Sequence, residues 1–558
     1  MRVPALLLTV SCLCWLGRAT ESVRKAAAGP YEPTWESLMT RPLPAWYDQA
    51  KIGIFIHWGV FSVPSFKNEW YWWNLDGLKQ KDYVEFHNQT YGPDFKYPEF
   101  GPQFKAQLFD PEEWAKLFAA SGAQYVVLTS KHHEGFTNWC SSTSWNWNAC
   151  DLGPKRDLVG SLTDAVRKEG LRMGLYLSML DWFHPLYLSD KDAKFKTSKF
   201  VDEVYARQFH EINSKYKPDV LWSDGDWEAS SSYWKSPELL AWLYNEGPNK
   251  DDVIVNDRWG NENPPIESGK RFGGFYSGGD RMAPSPSLLK HKWESCFTLD
   301  AGTWGFSRVS PLSAYLTRDA LFRTVVSTIA FGGNALINVG PTSDGVIVPI
   351  FQERLTQLGQ WLKVNGEAIY GTKPWREQSE PKSLGGQGEI EAHDDADVYY
   401  TSKEDGEGKN ATTIIYAIVL RLPPSPDPEE TDSLNIPLSH PKSVSTWSKI
   451  SLLGGSKQFG CDDLNFLYLK RGGENLERQR ESKMSMDLKR ELAVDERQAE
   501  SVRASEFLAK SDDTEGHESA EENLDFGVYI PIVCFAPLPS ASEAIREGPW
   551  VLRLEGFE

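Results

Sequence analysis

The sequence predicts an α/β protein: a (β/α)8-like TIM barrel followed by a C-terminal antiparallel β-sandwich. Three observations carry this. From about 45 to 370, short apolar runs alternate with amphipathic helical patterns, as parallel strands with crossover helices require. The apolar runs end in polar or charged clusters, which would gather on the C-terminal face of a barrel, where such folds place their chemistry. After about 372, strand-like runs follow one another without helices between them. A doubly wound open sheet is the rival to the barrel. No Gly-x-Gly-x-x-Gly follows the first predicted strand, which counts against its nucleotide-binding version.

The elements come in order. Residues 1–20 begin with a basic residue and an apolar run too short to span a bilayer comfortably, then small residues; they read as a secretory signal peptide. The barrel is expected over 31–372. Its strands are placed at 51–59, 123–131, 172–180, 218–225, 252–258, 291–296 and 334–340. Helices are expected at 110–122, 158–170, 198–216, 237–247 and 317–333. The first has Asp110 as N-cap, Pro111 at its first position and Gly122 at its end. Residues 379–396 read as a polar linker. The sandwich, over 373–558, takes strands at 397–403, 412–422, 448–455, 464–470, 527–533 and 549–557. It is interrupted at about 471–525 by a highly charged stretch almost free of aromatics, read as a disordered insertion.

Composition narrows the function. A net charge of −19 argues against a nucleic-acid partner. No other apolar run is long enough for a membrane span. No cysteine–histidine spacing resembles a zinc site. Cys140 and Cys150 are close enough in sequence to pair in an oxidising compartment, with two free thiols as the alternative. Asn88 in "NQT" and Asn410 in "NAT" are glycosylation sequons, usable only on a secretory route.

The stretch "LWSDGDWE" sets Asp224, Asp226 and Glu228 beside Trp222 and Trp227. Their spacing lacks the ligand periodicity and terminal Glu of a calcium loop. Two carboxyl groups from different strand ends suit a retaining glycosidase, which needs a nucleophile and an acid/base about 5 Å apart. Asp224 ends one predicted strand. Glu294, in "HKWESC", lies two predicted strands later. Clustered tryptophans would cover the apolar face of a sugar ring. Asp226 and Glu228 more naturally shape the following loop, and Glu69, Glu134 and Glu228 remain alternative acids.

"KIGIFIHWGVFSVPSF", "NEWYWWNL", "KHHEGFTNW", "SWNWN", "GPKRDLVG", "WSDGDWE", "NDRWG", "HKWESC" and "GGNALINVGPTSDG" follow one another from about 51 to 345. In that order they resemble the α-L-fucosidases of glycoside hydrolase family 29, in the animal lysosomal or secreted branch. The resemblance implies a barrel with a β-sandwich behind it, retaining hydrolysis of terminal α-L-fucose from glycoproteins, glycolipids and oligosaccharides, and no cofactor. It puts Asp224 at the nucleophile position and Glu294 at the acid/base. His57, Glu69, Trp70, His132, His133, Tyr176 and Arg258 fall on stretches that shape the fucose pocket, and Trp304 or Phe306 on one that meets the sugar's methyl group. It implies fucosylated glycans as partners, a lysosomal or extracellular destination and a homo-oligomer, often a tetramer. The chain departs from the family pattern at Ser285, where a Pro is usual, and the 471–525 insertion has no counterpart. Another retaining glycosidase on the same barrel, or a fucose-binding lectin without catalysis, are the competing functions.

Overall fold

The computed structural model describes residues 31–281, 290–380, 396–406, 412–420, 433–438, 444–453, 467–469, 527–533 and 549–557. The predicted signal peptide, most of the linker, the charged insertion, Asn410, Cys461 and Cys534 lie outside them.

Seven strands form one parallel sheet: β1 (Ile52–Ile56), β2 (Tyr125–Lys131), β3 (Arg172–Ser178), β4 (Val220–Asp224), β5 (Ile254–Val255), β6 (Trp293–Thr298) and β7 (Gly333–Val339). Their order is β5-β4-β3-β2-β1-β7-β6. Nearly every residue of these strands is buried, which is why they read as unbroken apolar runs. Helices Pro111–Ala120, Leu158–Lys168, Ala206–Tyr216, Ser236–Asn245 and Arg318–Ala330 occupy the predicted positions. The Asp110 carboxylate caps the first by accepting from the backbone N–H groups of Glu112 and Glu113 at 2.9 and 3.1 Å. A further helix, Pro349–Asn365, was not anticipated.

The ring closes in an unusual way. β5 is only two residues long because Asn256 replaces backbone pairing with its side chain. Its Oδ1 accepts from Ser223 N at 3.1 Å and its Nδ2 donates to Ser223 O at 2.8 Å. The next extended stretch, residues 274–277, then bridges the two edges. Gly274 N and Phe275 N donate to Asn256 O and Val255 O, while Tyr276 N donates to Lys292 O and Glu294 N to Tyr276 O. Glycine is required here: a Cβ on Gly274 would sit 1.8 Å from Val255 O, and Gly273 adopts φ +115°.

Beyond the barrel, β8 (Lys373–Ser379), β9 (Val398–Asp405), β10 (Thr412–Val419), β11 (Ser433–Leu438), β12 (Val444–Leu452), β13 (Leu467–Leu469), β14 (Gly527–Val533) and β15 (Trp550–Phe557) build two antiparallel sheets. Their orders are β12-β15-β10-β9-β8 and β11-β14-β13. β8 and β11 are the two strands that the sequence did not predict. The larger sheet is tied to the barrel's helical layer: Trp361 Nε1 donates to Pro549 O at 2.9 Å and Tyr416 Oη to Glu367 Oε1 at 2.6 Å.

Cys140 and Cys150 are disulfide-bonded, with Cα atoms 5.2 Å apart. Asn88 is exposed on helix Lys81–Thr90. Among the described residues no helix is long and apolar enough to cross a membrane. Among them, too, no cluster of three or more His, Cys, Asp or Glu could hold a metal ion.

Candidate active site

Asp224 is the last residue of β4, and Gly225 turns the chain away at φ +84°. Met179 N donates to Asp224 O at 2.7 Å and fixes that turn. Both carboxylate oxygens are held: Oδ1 accepts from Arg258 Nη1 at 2.9 Å, and Oδ2 from Tyr176 Oη at 2.7 Å. His133 Nε2 stands 3.6 Å from Oδ2. Burial, helped by the Asp224 charge, pushes the Tyr176 phenol well above its ordinary value, so it remains a donor.

The second arm of Arg258 leads to a carboxylate that the sequence did not single out. Arg258 Nη2 donates to Asp280 Oδ1 at 2.7 Å, and Asp280 keeps 48% of its side chain exposed. Asp224 and Asp280 both line a cavity of about 210 Å³ and are, among the described residues, the acidic ones that do so. This volume is below the ~300–1,000 Å³ of pockets for drug-sized ligands and suits a single small polar ring.

The walls are largely the predicted residues. His57, Trp70, His132, His133, Tyr176, Arg258 and Trp304 reach the cavity, joined by Phe55, Trp222 and Trp227. His57 Nδ1 lies 2.7 Å from Asn338 Oδ1, and Asn338 Nδ2 donates to Trp304 O at 2.6 Å. The amide is thereby oriented, so His57 Nδ1 carries the proton and Nε2 is left as acceptor. Burial first, then the neighbouring His132, pushes His57 well below its ordinary value; the same two causes act on His133. His132 Nδ1 is 3.0 Å from Glu134 Oε2. Glu69 stands behind Trp304: its Oε2 accepts from Thr303 Oγ1, Trp304 N and Gly305 N at 3.1, 2.9 and 3.3 Å. Phe306 does not reach the cavity.

Glu294 sits differently from the strand-end position expected of it. β6 begins at Trp293, so Glu294 pairs with Asn334 at the start of β7, at the opposite end of the barrel from the strand ends that carry Asp224. It is fully buried. Its Oε2 accepts from the hydroxyls of Tyr47 and Tyr125, each at 2.6 Å, and its Oε1 from Trp222 Nε1 at 2.9 Å. Burial pushes its carboxyl up, against the pull of those donors. The Trp222 ring lies between Glu294 and the Arg258 guanidinium, whose Cζ is 4.6 Å from the ring centre. Glu294 is not among the residues that line the cavity.

The other acids of the opening stretch shape the loop. Asp226 accepts from Gly260 N at 3.3 Å, and burial pushes its carboxyl up to about 6. Glu228 accepts from Tyr187 Oη at 2.5 Å and Lys191 Nζ at 2.7 Å.

Comparison with known proteins gives the family. The alpha-L-fucosidase family profile matches residues 18–367. An alpha-L-fucosidase of Branchiostoma floridae is 49% identical over 75% of this chain and 86% of its own length. The tissue alpha-L-fucosidase of Homo sapiens is 49% identical over 81% of this chain and 89% of its own length. The human plasma enzyme is 47% identical over 80% and 88%. A crystal structure of Thermotoga maritima alpha-fucosidase in complex with fucose is similar over 94% of this chain and 100% of that one, at 27% identity and a TM-score of 0.62. With its barrel, its single-ring cavity and its paired carboxylates, the chain belongs to the alpha-L-fucosidase family of glycoside hydrolases.

Proposed function

We propose that the protein removes terminal α-L-fucose from glycans with net retention, using Asp224 as nucleophile and Asp280 as acid/base. The observation that carries this is Arg258, whose two arms hold both carboxylates at one cavity. Asp224 attacks the anomeric carbon and the glycosidic C–O bond breaks. Asp280 gives its proton to the departing oxygen. Water then attacks the fucosyl ester, Asp280 takes its proton, and the Asp224 carboxylate is released. Phe55 and Trp304, whose ring centres are 6.0 Å apart, offer an apolar wall for the methyl group of a 6-deoxy sugar. Neutral His57 presents an acceptor to a hydroxyl. Glu294 acts at one remove, as a positioning residue: it holds Trp222, and Trp222 supports Arg258.

A secretory destination, lysosomal or extracellular, accords with the Cys140–Cys150 bond and the exposed Asn88. The names of the tissue and plasma relatives point the same way.

Asp224→Gly and Asp280→Gly test the assignment. Each should lose roughly 10³-fold or more in kcat/KM on a natural fucoside. With an aryl fucoside, whose leaving group needs no proton, azide should restore turnover in both, giving the β-azide from Asp224→Gly and the α-azide from Asp280→Gly. Azide rescue of Glu294→Gly in place of Asp280→Gly would return the acid/base role to Glu294. A panel of nitrophenyl glycosides separates a fucosidase from another retaining glycosidase by which sugar is released.

A further inference from the structure

The aromatic lining does not stop at the cavity. Trp227, 43% exposed, lies nearly parallel to Trp70, with 6.0 Å between ring centres and 17° between planes. Both rings line the cavity. Trp70 packs edge-on against Trp182 at 5.1 Å, and Trp182 packs against Trp73 at 5.6 Å. Trp182 is only 3% exposed and serves as the floor. Trp227, Trp70 and Trp73 all keep accessible surface. Trp73 itself lies outside the cavity lining. A core would have buried these rings, because exposed tryptophan surface gains nothing from the hydrophobic effect.

Polar groups lie beside these rings. Lys191 Nζ donates to Glu228 Oε2 at 2.7 Å, and the same ammonium lies 5.9 Å from the Trp73 ring centre. Their side chains are 40% and 18% exposed. Flat apolar rings interleaved with charged donors and acceptors match a pyranose, which has a C–H face and a rim of hydroxyls. The cavity has room for one ring, so whatever carries the fucose must leave over the rim, and Trp227 is an exposed part of that rim.

We propose that Trp227, Trp73 and the Lys191–Glu228 pair form a leaving-group subsite for the sugar to which fucose is attached. Its ligand is a pyranose unit of an oligosaccharide, rather than an alkyl or aryl aglycone. Trp227 and Trp73 cover the C–H face, and Lys191 and Glu228 meet the hydroxyls. This rests on the fucosidase reading above.

The test compares two substrates. Alpha-L-fucosyl fluoride has no sugar beyond the fucose; a defined α-L-fucosyl disaccharide has one. Relative to wild type, Trp73→Ala and Lys191→Ala should lower the ratio of kcat/KM on the disaccharide to kcat/KM on the fluoride by about tenfold. Trp73→Phe, which keeps an aromatic face, should restore most of the ratio and guards against a folding defect in Trp73→Ala. An unchanged ratio in both Lys191→Ala and Trp73→Ala would overturn the subsite. A wild-type protein that turns over neither substrate would overturn the fucosidase reading instead.

Discussion

Arg258 has four contacts that together define the site. It holds Asp224 and Asp280, donates from Nε to Ser277 Oγ at 3.1 Å, and rests on the face of Trp222. Glu294 enters only through the last of these. Glu294→Gln replaces one acceptor oxygen with an amide N–H2 among three donors, which leaves at least one buried donor unsatisfied. It should cost about 1–3 kcal/mol of stability, read as a lowered midpoint in urea. Its kcat should fall through the displaced Arg258, while the acid and base limbs of the pH–rate profile keep their positions. Asp280→Asn should instead abolish one limb. Asp224 was legible because the apolar run Val220–Trp222 delivers it to a strand end and glycine follows. Asp280 was not: it lies in "SGGD", beyond an extended stretch too short to give any periodicity. Glu294 was expected near the strand end because the strand was placed at 291–296; the observed strand, Trp293–Thr298, sets it near the start instead.

Among the elements, the short bridge at 274–277 has the least tolerance. Gly274→Ala would drive a Cβ into Val255 O, the backbone oxygen that receives Phe275 N. Overpacking of this kind costs about 1–3 kcal/mol. Activity should fall further than that stability loss implies, because Ser277 ends the bridge, Asp280 follows it, and both contact Arg258. Thermal melts beside kcat measurements on Gly274→Ala would show the two effects separately. The long strands and the capped helices were readable because their apolar spacing persists over a whole element. The bridge, β8 and β11 were not, and β5, expected over 252–258, is shorter than its apolar run suggested. β5 relies on a side chain in place of backbone, and β8, which reads "KPWREQS", has neither an apolar run nor a clean alternation.

For the molecule as a whole, pH acts through opposing groups. His57 and His133 are neutral and pushed down by burial, so only the unfolded chain takes up their protons near pH 6.5. Each therefore lowers stability as pH falls below about 6.5, by at most about 1.4 kcal/mol per pH unit. Asp181 and Asp226 are pushed up to about 6, so the folded chain binds their protons first and gains stability between about 6 and 4. The two sets offset one another, and stability should change little between pH 7 and 5. Asp226→Asn removes one gain. Its stability should fall behind wild type by up to about 1.4 kcal/mol per pH unit below pH 6, measured by urea unfolding at pH 6.5, 5.5 and 4.5. The bridge has one more consequence at this scale. A ring is only as strong as its clasp, and here the clasp leads to Asp280, the proposed proton donor. Warming should spring the clasp before the hoop of long strands gives way. The enzyme would then fall silent while still folded and recover on cooling, like a circuit with a thermal cut-out.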